Sequence, residues 1–175
     1  MSYDIHCELC PYYRQKHLNE SVYFSNRLNP PIELEDNHAD ILLVFQAPGE
    51  EEWLKGEPIQ PIKKPGGTAG SRIQASWDRT QKNRSCFDII NSVQCFPGKV
   101  SGKRDFEPDR LAVDCCSNRL LSILKLERYT KIITFGKLAF GTVTGLACSN
   151  LLKIKIVNAP HPNGGVNKTT LDALW

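Results

Sequence analysis

The sequence predicts an α/β domain of three layers, in which helices cover both faces of a central, mostly parallel sheet of four strands. Four short apolar runs alternate along the chain with stretches of helical periodicity, the pattern typical of parallel sheets. The length of 175 residues fits a single domain over 1–175. With 41% hydrophobic and 23% charged residues, the composition argues against disorder.

The four apolar runs predict the strands of the sheet. In chain order they are Ile41–Phe45, Phe87–Val93, Lys131–Phe135 and Lys153–Val157. Each is four to eight residues long, and proline, glycine or asparagine follows within a few residues, as expected for buried strands that end in loops.

Helices are predicted between these strands. A helical N-terminal segment precedes an exposed, acidic connector that begins at Asn29–Pro31. Pro108 stands where proline is tolerated, in the first turn of a helix, and a further helix begins near Lys137 after Gly136. The helix after Pro108 carries one apolar face, formed by Val113, Cys116, Leu120 and Leu124.

Three loops follow predicted strands and therefore meet at one edge of the sheet. They are Gln46–Gly49, Asn91–Gly98 and His161–Gly165. Ligands of open parallel sheets bind beyond the carboxyl ends of the strands. The sequence therefore predicts a functional site where these loops come together.

Several function classes are disfavoured by the composition. No apolar run approaches the roughly 20 residues that span a bilayer, and the first residues lack the apolar stretch of a signal peptide. We expect a monomeric cytoplasmic protein with no membrane partner. The net charge of +3 permits a nucleic-acid partner without requiring one.

The seven cysteines indicate reduced thiols that serve a metal or catalysis, because their number is odd and a secretory signal is missing. Cys7 and Cys10 have the two-residue gap that lets one turn offer two thiolates to a metal. Cys95 and one of Cys115 or Cys116 are the candidates for the other two ligands. Spacing alone does not separate zinc from an iron–sulfur cluster.

The remaining cysteines are assigned from helix geometry and residue type. Cys115 and Cys116 point about 100° apart on a helix, which predicts that only one of them faces the metal. Cys86 and Cys148 are predicted to be small buried apolar residues.

An ordered set of motifs resembles the iron–sulfur uracil-DNA glycosylases, family 4 of the uracil-DNA glycosylase superfamily. The set is a CxxC at Cys7, a loop at Phe45–Gly49 with the acidic run to Glu52, an Ala-Gly pair in Thr68–Arg72, Asn91–Pro97, and His161–Asn163. The resemblance covers nearly the whole chain. It implies the fold of that superfamily, with an N-terminal iron–sulfur segment.

The resemblance also implies residue roles. A [4Fe–4S] cluster would be held by Cys7, Cys10, Cys95 and Cys116, the last selected over Cys115 by its spacing from Phe135-Gly136. The implied catalytic residues are His161, Gln46 and Glu52, with Glu52 beside the base, where it helps exclude thymine. The implied base-binding residues are Asn91, Ala47, Gly49, Ile59 and Asn163.

Four positions depart from the family pattern. Gln46 stands for a glutamate, Trp53 for an aspartate, Ile59 for the phenylalanine that stacks on uracil, and Asn163 for a serine. An amide is no general base, so water activation is weak or comes from Glu50, Glu51 or Glu52. The loss of the stacking ring should weaken uracil capture unless Trp53 or Phe96 replaces it. The segment 60–67 has the composition of an insertion beside the pocket.

The predicted function is a monofunctional DNA glycosylase that flips a base out of single- or double-stranded DNA and hydrolyses its N-glycosidic bond. Uracil is the expected base. Alternatives are a modified or bulkier base, for example in foreign phage DNA, or an inactive iron–sulfur module that binds DNA. A zinc-stabilised domain is a third possibility.

Contacts to the phosphates of the DNA backbone are expected from basic residues in loops rich in glycine and proline. The candidates are Lys63, Lys64, Lys99, Lys103 and Arg104.

Overall fold

The computed structural model describes residues 5–13, 29–62, 64, 66–99, 105–163 and 166–175. Its centre is a four-stranded sheet in which every neighbouring pair of strands is parallel. The strands are β1 (Ile41–Phe45), β2 (Asp88–Asn91), β3 (Lys131–Phe135) and β4 (Lys155–Ala159). They lie in the order β2-β1-β3-β4. The α/β class and the four parallel strands predicted from the sequence are confirmed.

Six α-helices accompany the sheet in the described part of the chain, and a short 3₁₀ helix at Arg84–Cys86 precedes β2. The α-helices are α1 (Ile5–Leu9), α2 (Glu50–Lys55), α3 (Ala69–Arg79), α4 (Arg110–Leu124), α5 (Lys137–Ser149) and α6 (Lys168–Asp172).

Two strands have the limits that the sequence predicts, and two do not. β1 and β3 agree to the residue, whereas β2 is shorter than the apolar run that contains it. β4 begins and ends two residues later than predicted. The reason is local: Leu151 has φ of 56°, and the first residue paired with β3 is Lys155, opposite Lys131.

The sheet carries an apolar layer on each face. Leu43, Ile89 and Ile133 pack with Ile73 and Trp77 of α3. Alternate strand residues point the other way, because successive side chains of a strand face opposite sides, and they pack against α4 and α5. This second layer contains Leu42, Val44, Ile90, Ile132, Leu120, Leu124 and Val143. The result is the three-layer arrangement expected from the sequence.

The strand order places a crevice at the carboxyl edge of the sheet. From β1 the chain moves to β2 on one side, and β3 then pairs with the other side of β1. The loops after β1 and β3 therefore diverge, and such switch points are where parallel sheets bind ligands. Gly136, which follows β3, has φ of 91°, and a Cβ there would lie 3.5 Å from the Cβ of His161.

The prediction that Cys148 is buried is wrong. It lies near the end of α5 on the solvent side of the helix, whereas Val143 and Ala147 form the buried side. Cys86 is half-buried and packs against the edge of one apolar layer. None of the helices within the described ranges is long and apolar enough to cross a bilayer.

Candidate functional site

A cavity of about 400 Å³ opens at the carboxyl edge of the sheet. It is lined by residues from the ends of β1 and β4, from α2 and from the loop that precedes α3. Six of the residues that the resemblance assigns to catalysis or base binding line it: Ala47, Gly49, Glu52, Ile59, His161 and Asn163. The structure therefore brings together residues that are more than a hundred positions apart in the chain.

His161 enters the cavity from the loop after β4. Its Nδ1 accepts a hydrogen bond of 3.3 Å from the backbone N–H of Asn163. A neutral imidazole in this arrangement carries its proton on Nε2, because Nδ1 is the acceptor. Burial lowers the pKa of His161 below its usual value, which favours the neutral form at pH 7. The site thus holds an uncharged hydrogen-bond donor.

Asn91 lies behind the cavity wall and does not line the cavity. Its amide nitrogen donates a 3.0 Å hydrogen bond to the carbonyl of Pro58, and Pro58 is part of the wall. The side chain is fully buried, and its Oδ1 has no hydrogen-bond partner among the residues that the structure describes. Burial of a hydrogen-bond acceptor without a partner typically lowers the stability of a protein by about 1–3 kcal/mol.

Gln46 also stays outside the lining of the cavity. Its carbonyl accepts the backbone N–H of Val93, and the carbonyl of Phe45 accepts that of Ser92. These two bonds hold the loops after β1 and β2 side by side. The half-buried side chain of Gln46 is therefore near the site but is not part of its surface.

An aromatic surface in the cavity comes from Phe45, the last residue of β1. Its ring stacks on Phe135 with a centroid distance of 4.5 Å and an interplanar angle of 4°. Ile59 lines the same cavity and is 4% exposed. Sequence reasoning missed Phe45, although the alternation of side chains along β1 places it on the same sheet face as Leu43.

Trp53 and Phe96, the two rings that could replace the missing stacking ring, do not line the cavity. These rings pack against each other and against Ile32, with centroids 5.9 Å apart, away from the cavity. The physical reason is the direction of α2: Trp53 lies on its buried side and Glu52 on the side that faces the cavity.

Lysines and glutamates form ion pairs at the mouth of the cavity. Lys99 contacts Glu50, and Lys64 contacts Glu51. All four residues line the cavity, as does the exposed Asp105. Lys64 and Lys99 were named from the sequence as phosphate contacts, whereas Asp105 was missed, because its loop lies far along the chain from α2. Lys63, Lys103 and Arg104 lie outside the described residues.

Glu52 differs from its two glutamate neighbours. Within the described part of the chain it forms no salt bridge, and its carboxylate accepts the backbone N–H of Gln60. Burial raises its pKa above the usual value, and the charges of Asp105 and Glu51 raise it further. A Cβ on Gly49 would lie 2.6 Å from its Oε2, so a larger residue at position 49 would displace this carboxylate.

The segment 60–67, taken from its composition as an insertion beside the pocket, does lie along the cavity. Ile62 and Lys64 line it. Gln60 is 6% exposed, and a Cβ on Gly70 of α3 would be 1.8 Å from its carbonyl oxygen. The segment therefore packs directly on the first turn of α3.

A group of cysteine thiols lies next to the loops of the site. Cys10, Cys95, Cys115 and Cys116 pack together with Tyr12, and Cys7 is buried nearby. Burial raises the pKa of the Cys95 thiol well above its usual range, and Cys116, Cys10 and Cys7 raise it further. Burial also raises the pKa of Cys116 to about 11, which the backbone N–H of Gln94 opposes.

Both Cys115 and Cys116 are buried in this group, and the expectation that only one of them faces a metal stays a prediction. They are 7% and 5% exposed. Successive residues of α4 can both be covered because α1 packs on the helix at this point, so the buried arc exceeds 100°. Besides burial, Cys116 raises the pKa of the Cys95 thiol, and Cys10 raises that of Cys115.

These thiols do not converge on one point. Within the described ranges, no three cysteine, histidine or carboxylate side chains are arranged to hold a single metal ion. A four-iron cluster places a different demand on its ligands, since each thiolate binds a different iron atom and the four surround a space. Cys7, Cys10, Cys95 and Cys116 are all buried, and a cationic side chain, Arg119, contacts Cys7.

Comparisons with known proteins bring no assignment: no family model matches the sequence, and no curated protein is significantly similar to it.

Proposed function

We propose that this protein is a monofunctional DNA glycosylase with the fold of the uracil-DNA glycosylase superfamily, acting on uracil in DNA. The observation that carries the proposal is the neutral imidazole of His161, which lines a cavity beyond the carboxyl ends of parallel strands. The ordered motifs and their resemblance to the iron–sulfur enzymes supply the choice of reaction. A monomeric, cytoplasmic protein with DNA as its partner is part of the same proposal.

The proposed reaction breaks the bond between C1′ of deoxyribose and the base nitrogen. The electron pair goes to the base, which leaves as an anion, and a water molecule adds its hydroxyl to C1′ and gives up a proton. His161 Nε2–H is the donor available to a carbonyl oxygen of the leaving base, where negative charge develops. A neutral donor held in place before the reaction needs no rearrangement as that charge forms.

Glu52 is the carboxylate best suited to take the proton of the attacking water. Glu50 and Glu51 are paired with lysines, whereas Glu52 faces the cavity without a basic partner among the described residues. Its raised pKa makes it a stronger base than an exposed glutamate. Gln46 cannot accept this proton, because an amide has no basic site near neutral pH.

Asn91 has a different part in the proposal. Its free Oδ1 is an acceptor of the kind that a pyrimidine N–H would satisfy, and its amide nitrogen is already held by Pro58. Reaching a base requires the wall at Pro58 to shift, since Asn91 does not line the cavity in this state. Ile59 and Phe45 supply the apolar surface against which a base would lie.

The thiols of Cys7, Cys10, Cys95 and Cys116 are proposed to hold a [4Fe–4S] cluster. Bound there, such a cluster cross-links the N-terminal helix, the loop after β2 and α4, and it can exchange electrons. The thiols are buried, lie in three separate segments and have a guanidinium beside them. A brown protein with visible absorbance after anaerobic purification, and four iron atoms and four sulfides per chain, would be the expected result.

The test of the glycosylase uses end-labelled oligonucleotides that contain one uracil, single- and double-stranded, followed by alkaline cleavage at abasic sites. His161→Ala should lower the excision rate by about 10²–10³, the usual effect of losing one such donor. The control is His38→Asn, because His38 is exposed at the opposite edge of the sheet and its φ of 57° suits asparagine. Excision by H161A at the wild-type rate would contradict the assignment.

A bulkier base is the second candidate, favoured by the size of the cavity. A volume of about 400 Å³ lies in the range that takes drug-sized ligands, and Ile59 offers less aromatic surface than a phenylalanine would. The same assay with oligonucleotides that carry hypermodified pyrimidines distinguishes the two. Release of such a base without release of uracil supports this candidate. DNA binding without release of any base supports an inactive iron–sulfur module.

A further inference from the structure

We infer that Arg119 is a positioning residue of the cysteine group: its guanidinium holds the thiol-bearing segments together and supplies a counter-charge for their thiolates. The inference rests on the proposed cluster and concerns a residue that neither the motifs nor the resemblance singled out. It is carried by two hydrogen bonds that the two terminal nitrogens of one guanidinium donate to different segments of the chain.

The contacts of Arg119 join the three segments that carry the four proposed ligands. Its Nη2 donates to Cys7 Sγ at 2.6 Å, in α1. Its Nη1 donates to Gln94 Oε1 at 3.0 Å, in the residue just before Cys95. Arg119 itself belongs to α4, three residues after Cys116. Arg119 therefore links these three segments and limits the distances between the four sulfur atoms that they carry.

Gln94 is well placed to transmit this constraint. It is 2% exposed, and its carbonyl accepts the backbone N–H of Ile32 at 2.7 Å. The loop after β2 is thus held by its backbone on one side and by Arg119 on the other, so that Cys95 has little freedom to move.

Charge gives Arg119 a second role. Thiolates bound to a four-iron core carry more negative charge than the core neutralises, and the group that surrounds them is apolar and buried. Buried charge is stable in a protein when it is paired. A guanidinium remains charged at any physiological pH and can donate to two acceptors in a fixed geometry. Hydrogen bonds and charge near the sulfurs also set the reduction potential.

The experiment compares the wild-type protein, Arg119→Gln, Arg119→Lys and the control Arg110→Gln, all purified anaerobically. Arg110 is exposed in the first turn of the same helix. The readouts are iron and sulfide per chain, the rate at which visible absorbance is lost to an iron chelator, and the reduction potential from a spectroelectrochemical titration. None of them requires base excision, so this test and that of the glycosylase fail independently.

We expect R119Q to lose its absorbance about tenfold faster or more, the usual effect of removing a residue that orients a ligand. Its reduction potential should become more negative, because a positive charge beside the cluster stabilises the reduced form. R119K should keep a reduction potential close to that of the wild type, because it keeps the positive charge. It should still lose the cluster faster, because one ammonium group cannot donate two hydrogen bonds in the fixed geometry of a guanidinium. R110Q should match the wild type in every readout.

Three results would overturn the inference. The first is R119Q with the wild-type potential, even if its cluster is less stable, because a purely structural role moves no potential. The second is R119K with the wild-type rate of loss, which also decides the matter if R119Q gives no soluble protein. The third is a wild-type protein without iron and sulfide, which removes the proposed cluster as well.

Discussion

At the scale of single residues, burial changes what a side chain can do, and Glu52 is the clearest case. Three glutamates follow one another in α2, yet two are paired with lysines and the third faces the cavity. The backbone N–H of Gln60 and the close approach of Gly49 hold its carboxylate in place. Whether a glutamate of α2 is buried at the cavity or paired with a lysine thus depends on the direction in which it leaves the helix.

Glu52→Gln should make the protein more stable at pH 7. The pKa of Glu52 is raised in the folded state, so its contribution is favourable below the unfolded-state value near 4.5 and is lost as the pH rises through the folded-state value. At pH 7 the ionised carboxylate is a cost that the amide avoids, while the Gln carbonyl can still accept the N–H of residue 60. Urea denaturation at several pH values measures this.

The difference in stability between E52Q and the wild type should shrink as the pH falls towards 4.5. Glu51→Gln is the matched control, because Glu51 pairs with Lys64 at the surface and should change stability by less than about 1 kcal/mol. An equal effect of the two substitutions at pH 7 would show that burial of Glu52 does not set its energy. The excision rate of E52Q should also fall, if Glu52 accepts the proton from water.

At the scale of elements, the cavity depends on how closely α3 approaches the segment before it. Gly70 lies in the first turn of α3 and is buried against the backbone of Gln60. The helix begins at a capping box, in which the Thr68 side chain accepts the N–H of Ser71 and the Ser71 hydroxyl accepts the N–H of Thr68. The start of the helix and the wall of the cavity are therefore fixed together.

Gly70→Ala should destabilise the protein by about 1–3 kcal/mol or more, because its Cβ would lie 1.8 Å from the carbonyl oxygen of Gln60 and one backbone must move. Gly141→Ala is the control in another helix: Gly141 is exposed in α5, and its Cβ would meet nothing within 4 Å. There alanine should stabilise by about 0.5–1 kcal/mol. Thermal unfolding of the two variants gives opposite signs if the packing at Gly70 is correct.

At the scale of the whole molecule, the two edges of the sheet have separate tasks. The carboxyl edge carries the cavity and the cysteine group, whereas a network around Asp88 closes the amino edge. Asp88 is fully buried and accepts hydrogen bonds from the backbone N–H of Asn37 at 2.8 Å and from the Tyr129 hydroxyl at 2.8 Å. Arg128 contacts both Asp88 and Asp36.

Asp88→Asn should lower the free energy of unfolding by about 3 kcal/mol, since one partner of a buried ion pair is lost and an amide cannot accept all of these bonds. The control uses the other carboxylate bound to the same guanidinium. Asp36→Asn should cost less than about 1 kcal/mol, because the Asp36 side chain is 39% exposed. Equal losses in chemical denaturation would contradict the role assigned to burial. Neither variant should change the chemistry of the cavity.

Much of the fold could be predicted from the sequence, because its signals are local. An apolar run such as Ile41–Phe45 specifies a buried strand wherever it lies, and the alternation with helices requires parallel pairing with helices on both faces. The residues after β1 and β4 were predicted to meet for the same reason, and the cavity does contain Ala47, Gly49, His161 and Asn163. Strand topology was enough to bring them to one edge.

What only the tertiary structure decided is which side chains face one another across that edge. Contacts between segments dozens of residues apart decide that Asn91 lies behind Pro58 and not in the cavity. They also decide that Glu50 and Glu51 form ion pairs with lysines, whereas Glu52 does not among the described residues. The burial of both Cys115 and Cys116, and the reach of Arg119 to Cys7, depend on how α1 packs on α4. The periodicity of apolar residues along the chain shows which side of a helix or strand is buried. It carries no information about which side chain, distant in sequence, lies against that side.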